Sequence, residues 1–146
     1  MIRIAEKKDC KAMMELIHEL AVFEKAGDEV VLTLDQFIED GFGNNPVWGA
    51  FVAEIDGGIV GMSLYYDRYS TWKGRRLYLE DLVVTEKMRG KNIGKQLFDA
   101  TLEHGKANGY SGMVFQVLNW NEKAIEFYKK YPAKFDDEWI NVSVEF

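Results

Sequence analysis

The sequence predicts an α/β (α+β) protein, a mixed central sheet with helices on both faces. Three observations predict it. Short β-rich runs recur from the first residues to the last, at residues 2–4, 48–55, 59–66, 77–84, 113–118 and 139–146. Stretches with apolar residues at helical spacing lie after the first run and again between the later ones. No repeat, linker or low-complexity stretch divides the 146 residues, so they are expected to form a single domain, residues 1–146, with a core of its own. The resulting order is β-α-α-β-β-β-α-β-α-β.

Taken in order, Ile2-Arg3-Ile4 alternates as a short strand does. Asp9 is placed to cap a helix on which Met13, Leu16, Ile17, Leu20 and Phe23 share one face. Residues 24–29 end that helix as a polar surface loop. Thr33 reads as the N-cap of a second helix, which carries Phe37 and Ile38 and stops near Gly41 and Gly43. The period then changes, and the runs 48–55 and 59–66 are joined by Asp56-Gly57-Gly58, a short hairpin loop. Residues 67–76, polar and aromatic, read as an exposed loop. The strand 77–84 leads through a turn into a helix with Ile93, Leu97, Phe98, Thr101 and Leu102 on its inner face, ending at Asn108-Gly109. A strand at 113–118, a helix at 121–130 and a loosely alternating strand at 139–146 complete the chain.

Composition narrows the class. Apolar residues make up 47% and charged residues 29%, as in soluble globular proteins. No apolar run is long enough to cross a bilayer and the N-terminus lacks a signal-peptide core, so no membrane partner is expected. The single cysteine, Cys10, excludes an internal disulfide and fits a reducing cytosol, which makes a cytoplasmic location the expectation. A formal charge of -6 argues against nucleic acid as a partner. His18 and His104 fall on polar helical faces, read as surface residues, and no metal site is expected from them.

No nucleophile triad is visible, and Cys10 reads as a small buried or capping residue. Three features remain. The turn Arg89-Gly90-Lys91-Asn92-Ile93-Gly94 opens a helix directly after an apolar strand. Backbone N–H groups at such a helix start form a seat for a phosphate, although an ordinary strand-to-helix connection reads the same way. Glu80-Asp81 interrupts the apolar strand. Adjacent strand residues point to opposite faces, so one carboxylate is expected to face inward, where desolvation raises its pKa and suits a general base. A salt-bridged pair with Arg75 or Arg76 is the alternative. Third, Asn121 opens a helix that carries Phe127-Tyr128, a capping residue followed by what is ordinarily core packing.

Leu82-Val83-Val84, then Arg-x-x-Asn-x-Gly opening a helix, then a strand, then Asn-x-x-Ala-x-x-Phe-Tyr, resembles the GNAT superfamily of acetyl-CoA-dependent N-acetyltransferases. Leu20-Ala21-Val22-Phe23-Glu24, Glu39-Asp40-Gly41-Phe42-Gly43 and Tyr78-Leu79-Glu80-Asp81 sharpen it toward the spermidine/spermine (diamine) N-acetyltransferases and their thialysine-acetylating relatives.

The resemblance implies a GNAT fold whose sheet splays between the fourth and fifth strands. It implies acetyl-CoA as cosubstrate, its pyrophosphate held by the backbone of Arg89, Gly90, Lys91, Asn92, Ile93, Gly94 and Lys95, and its pantetheine arm lying along Leu82, Val83 and Val84. Asn121, Lys123 and Tyr128 would line its other side. Glu80 matches the proton acceptor, acting through water, and Tyr128 the phenol that protonates the departing thiolate, in a direct transfer within a ternary complex. Phe23, Glu24 and Glu80 match positions facing a small primary amine: a polyamine, a diamine or a thialysine-like amino acid. A cytoplasmic homodimer without a metal is implied as well. Asn92 stands where the family usually has glycine, and Ser70 or Thr71 where the polyamine enzymes carry an acid. The alternatives are acetylation of a protein lysine or N-terminus, and a domain that binds acyl-CoA without turnover.

Overall fold

The structure, a computed structural model, describes all residues, 1–146. It divides into two compact units, residues 1–116 and residues 117–146. No helix is long and apolar enough to cross a membrane.

The first unit holds β1 (Ile2–Ile4), α1 (Cys10–Phe23), α2 (Leu34–Phe42), β2 (Gly49–Ile55), β3 (Gly58–Ser70), β4 (Gly74–Val84), α3 (Ile93–Ala107) and β5 (Met113–Val114). The strands form one sheet in the order β1-β2-β3-β4-β5. The first three pairings are antiparallel and only β4–β5 is parallel, reached through α3. That pairing covers just Leu77–Met113 and Tyr78–Val114, while β4 runs on to Val84. The fourth and fifth strands therefore part after Tyr78, as the resemblance implies.

Alternation along β2–β4 splits the core between the two faces. On one, Ala50, Val52, Met62, Leu64 and Val83 pack with Met13, Met14, Leu16 and Phe37 of α1 and α2. On the other, Ala53 meets Ile93 and Leu97 of α3. Ser63, fully buried, bonds the Thr101 hydroxyl at 2.8 Å, and Thr101 donates onward to the Leu97 carbonyl.

Several expectations change. Residues 67–76 are not a loop: β3 and β4 continue as a hairpin to Ser70 and Gly74, with Arg68 opposite Arg76. Polar side chains conceal a strand that projects beyond the core. Asp9 does not cap α1; its carboxylate takes the Glu6 N–H and the Arg3 guanidinium. Phe23 points away from the helix's inner face and is 43% exposed. His104 is half-buried among Phe51, Tyr65 and Tyr110, and burial lowers its pKa. Thr33 caps α2 by accepting from the Gln36 N–H, as expected.

The second unit contains α4 (Glu122–Tyr128), capped by Asn121, whose Oδ1 accepts from the Ala124 N–H at 3.3 Å. The strand expected at 139–146 does not form. Its start is tied into a local turn instead, with Asp136 accepting from the Glu138 N–H and the Trp139 indole. The strand at 113–118 is likewise reduced to two paired residues.

Candidate active site

The site begins with one extra residue in β4. Leu64 lies opposite Asp81 but Tyr65 lies opposite Leu79, so Glu80 is a β-bulge without a partner of its own. The bulge changes which way the acids face. Regular alternation would send Glu80 and Asp81 to opposite sides, as the sequence reading expected. Here Asp81 shares the face of its partner Leu64, and Glu80 shares the face of Tyr66, whose hydroxyl donates to Glu80 Oε1 at 2.9 Å. Both carboxylates line one cleft of about 450 Å³ on the α1–α2 side of the sheet.

The cleft has apolar walls from Ile17, Phe37, Val47, Trp48 and Leu64. Trp48 is fixed between rings, stacked on Phe37 at 4.5 Å and edge-on to Phe42, with its indole N–H donating to the Phe37 carbonyl. Such walls weaken hydration of the acids. Asp81, half-buried, is pushed up to about 7, by desolvation first and then by the charges of Glu80 and Glu24. Glu24 is raised by the same two effects, burial and the Glu80 charge. Glu80 itself is exposed. Neither Arg75 nor Arg76 neutralises the pair: Arg75 bonds Asp67 and Arg76 donates to Ser111. Three acids thus converge, Glu24 at the end of α1 with Glu80 and Asp81 of β4.

The turn after β4 is tied down from α1. Thr85 donates to Glu19 Oε1 at 2.9 Å, and Arg89 lies 3.9 Å from Glu19 Oε2. Arg89 also donates to the Val84 carbonyl and lies over the Phe23 ring, which joins two residues of the expected site. Gly90 and Asn92 both adopt left-handed backbone, at φ 79° and 64°. Asn92 is the N-cap of α3 but makes no side-chain cap bond, and the first helical bond runs from the Gln96 N–H to the Asn92 carbonyl. The amides of the first turn are therefore left to an outside acceptor. A Cβ built on Gly94 would meet only Val84 Cγ2, at 3.8 Å, so the surface over this turn is open. The turn fits a pyrophosphate, and the β5-facing edge of β4 at Leu82, Val83 and Val84, which β5 does not reach, fits an extended arm beside it. Lys91 adds positive charge near this start, while Lys95 is paired with Asp99 at 2.6 Å.

Asn121, Lys123 and Tyr128 belong to the second unit, on α4: the cap, the first turn and the last residue.

Sequence reasoning missed the roles of Tyr66, Trp48 and Glu19, and it left open which of Glu80 and Asp81 has the raised pKa. The available signal was the acid pair itself, since two adjacent charges in a buried strand call for a bulge.

Comparison with known proteins places the chain beside acetyltransferases. The profile of the Acetyltransferase (GNAT) family matches residues 3–131. A Bos taurus protein named thialysine N-epsilon-acetyltransferase is 39% identical over 142 residues, covering 92% of this chain and 84% of its own. The Mus musculus protein of that name is 41% identical over 136 residues, covering 88% and 80%. Among solved structures, an aminoglycoside N-acetyltransferase in complex with CoA superposes with a TM-score of 0.79, covering 100% of this chain and 95% of that one at 18% identity, a likeness of fold.

Proposed function

Since the chain belongs to the GNAT family and is an N-acetyltransferase, we propose that it moves the acetyl group of acetyl-CoA to the primary amine of a small molecule by direct attack in a ternary complex. The observation that carries this reading is the bulge that brings two consecutive carboxylates into one apolar-walled cleft, one of them held near neutral pKa. The names of the relatives favour a thialysine-like amino acid, a diamine or a polyamine.

An amine arrives as its ammonium and must lose a proton before it can attack. Glu24, Glu80 and Asp81 attract the cation, and the apolar walls strengthen that attraction by excluding water. The proton then passes to the Glu80–Asp81 pair. Glu80 is the exposed member, within reach of a bridging water, as the family pattern assigns. Asp81 is the member whose affinity suits proton acceptance near neutrality. Acetyl-CoA supplies the activated acyl thioester. The backbone of the turn from Arg89 to Lys95 holds its pyrophosphate, and Leu82, Val83 and Val84 align its arm. Asn121 and Lys123 flank it, and Tyr128 donates to the departing thiolate; these three enter through the family pattern. No acyl-enzyme is required, in keeping with the lack of an activated nucleophile: Cys10 is buried and its thiol pKa is raised by that burial.

The test is thiol release from acetyl-CoA against lysine, thialysine, putrescine, spermidine, an aminoglycoside and a lysine peptide, repeated with Glu80→Gln and Tyr128→Phe. Turnover of a small amine that drops by about 10²-fold or more in each variant is the expected result. Full rates in both variants would sink the assigned chemistry.

A further inference from the structure

We infer that Arg68 selects amines that also carry a carboxylate, holding that group while the amine lies at Glu80 and Asp81; this deepens the reading above and rests on it. Alternation along β3 puts Leu64, Tyr66 and Arg68 on one face. Tyr66 lines the cleft and stacks on Tyr78 at 5.2 Å, and the Arg68 guanidinium lies 5.5 Å from the Tyr78 ring centroid. Arg68 thus stands on the acids' side of the sheet, one aromatic pair away from Glu80.

Its lack of a carboxylate sets it apart from three of the other four arginines. Arg3 bonds Asp9 and Glu54, Arg75 bonds Asp67, and Arg89 pairs with Glu19. Arg76 has no acid either, but it is turned to Ser111. Arg68 makes no ion pair and rests only on a ring, which leaves its planar fork open to bidentate capture of a carboxylate.

The charge layout separates substrate classes. A polyamine laid along the tyrosine pair would put a second ammonium against Arg68. An amino acid with a terminal amine would put its carboxylate there.

The experiment compares lysine with cadaverine, the same stem without the carboxylate, for wild type, Arg68→Gln and Arg68→Glu. It measures kcat and KM and, separately, calorimetric binding of each amine. Wild type is expected to favour lysine. In Arg68→Gln the ratio of lysine KM to cadaverine KM should rise about tenfold, with further movement in Arg68→Glu and little change in kcat. Equal effects on both amines, or none, overturn the proposal. If wild type acetylates neither amine, the transfer reading fails, and calorimetry decides Arg68 independently. Selective loss of lysine binding in the variants upholds the assignment; the same binding in all three proteins, or no lysine binding in wild type, removes it.

Discussion

The Tyr66 hydroxyl donates to Glu80 Oε1 across the β3–β4 pairing at 2.9 Å, and Glu80 makes no ion pair that would compete with this bond. Burial and the Glu80 charge raise the Tyr66 pKa, so the phenol stays protonated and remains a donor. Tyr66→Phe should leave the fold intact and lower kcat/KM for the amine about 3- to 10-fold, the worth of one exposed bond to a charged group. Steady-state kinetics beside circular dichroism checks both halves.

Asp81 sets the pH behaviour. With its carboxyl pushed up to about 7, kcat/KM should rise as pH passes through that value. The residual activity of Asp81→Asn should lack this limb.

The same group predicts the sign of a stability change. Its folded pKa lies above the unfolded value, so between about pH 4 and 7 the folded protein holds a proton that the unfolded chain has lost. Stability contributed by Asp81 therefore falls as pH rises through that window. Asp81→Asn should be close to neutral at pH 4.5 and stabilising at pH 8, by a few kcal/mol at most. Urea titrations at the two pH values measure the difference, and equal effects would show that Asp81 titrates normally.

Asn92 holds a left-handed backbone at the start of α3. Asn92→Gly should be tolerated, whereas Asn92→Val should cost about 1–2 kcal/mol and weaken acetyl-CoA binding, because a β-branched side chain is strained at φ 64°. Thermal melts with and without CoA separate the two effects.

Gly41 lies under the Trp48 indole, where an added Cβ would come within 2.2 Å of Cζ2. Trp48 is held on both sides by Phe37 and Phe42 and has little room to withdraw. Gly41→Ala should destabilise by about 1–3 kcal/mol and raise KM for the amine, since Trp48 walls the cleft. A fall in the urea midpoint together with the KM change is the expected outcome.

Much of this was legible in the sequence because it depends on local patterns. The apolar faces of α1 and α3, the Thr33 and Asn121 caps and the Asp56–Gly57 turn all follow from short-range spacing and backbone preference. What escaped depends on pairing. Residues 67–76 look like a loop because strand partners for Arg68, Tyr69, Arg75 and Arg76 cannot be read from their polarity. Asp9 reads as a cap because the sequence does not show that Arg3, on β1, comes within 2.8 Å of it. The site followed the same rule. The turn and the Glu80–Asp81 pair stand out from local pattern and Glu24 through the family resemblance, whereas Tyr66 and the common facing of the two acids require the register between β3 and β4.

That register acts as a change of parity within one strand. Before the defect, even-numbered positions of β4 look toward α1 and α2; after it, odd-numbered ones do. Tyr78, Glu80, Asp81 and Val83 can therefore look the same way, while Leu79 and Leu82 serve the opposite layer. The chain gains an additional functional position without lengthening the sheet or giving up a buried residue. A one-residue deletion at Glu80 would do more than remove a carboxylate: it would restore even phase, leaving Asp81 and Val83 oriented as now but eliminating the adjacency on which a shared proton depends.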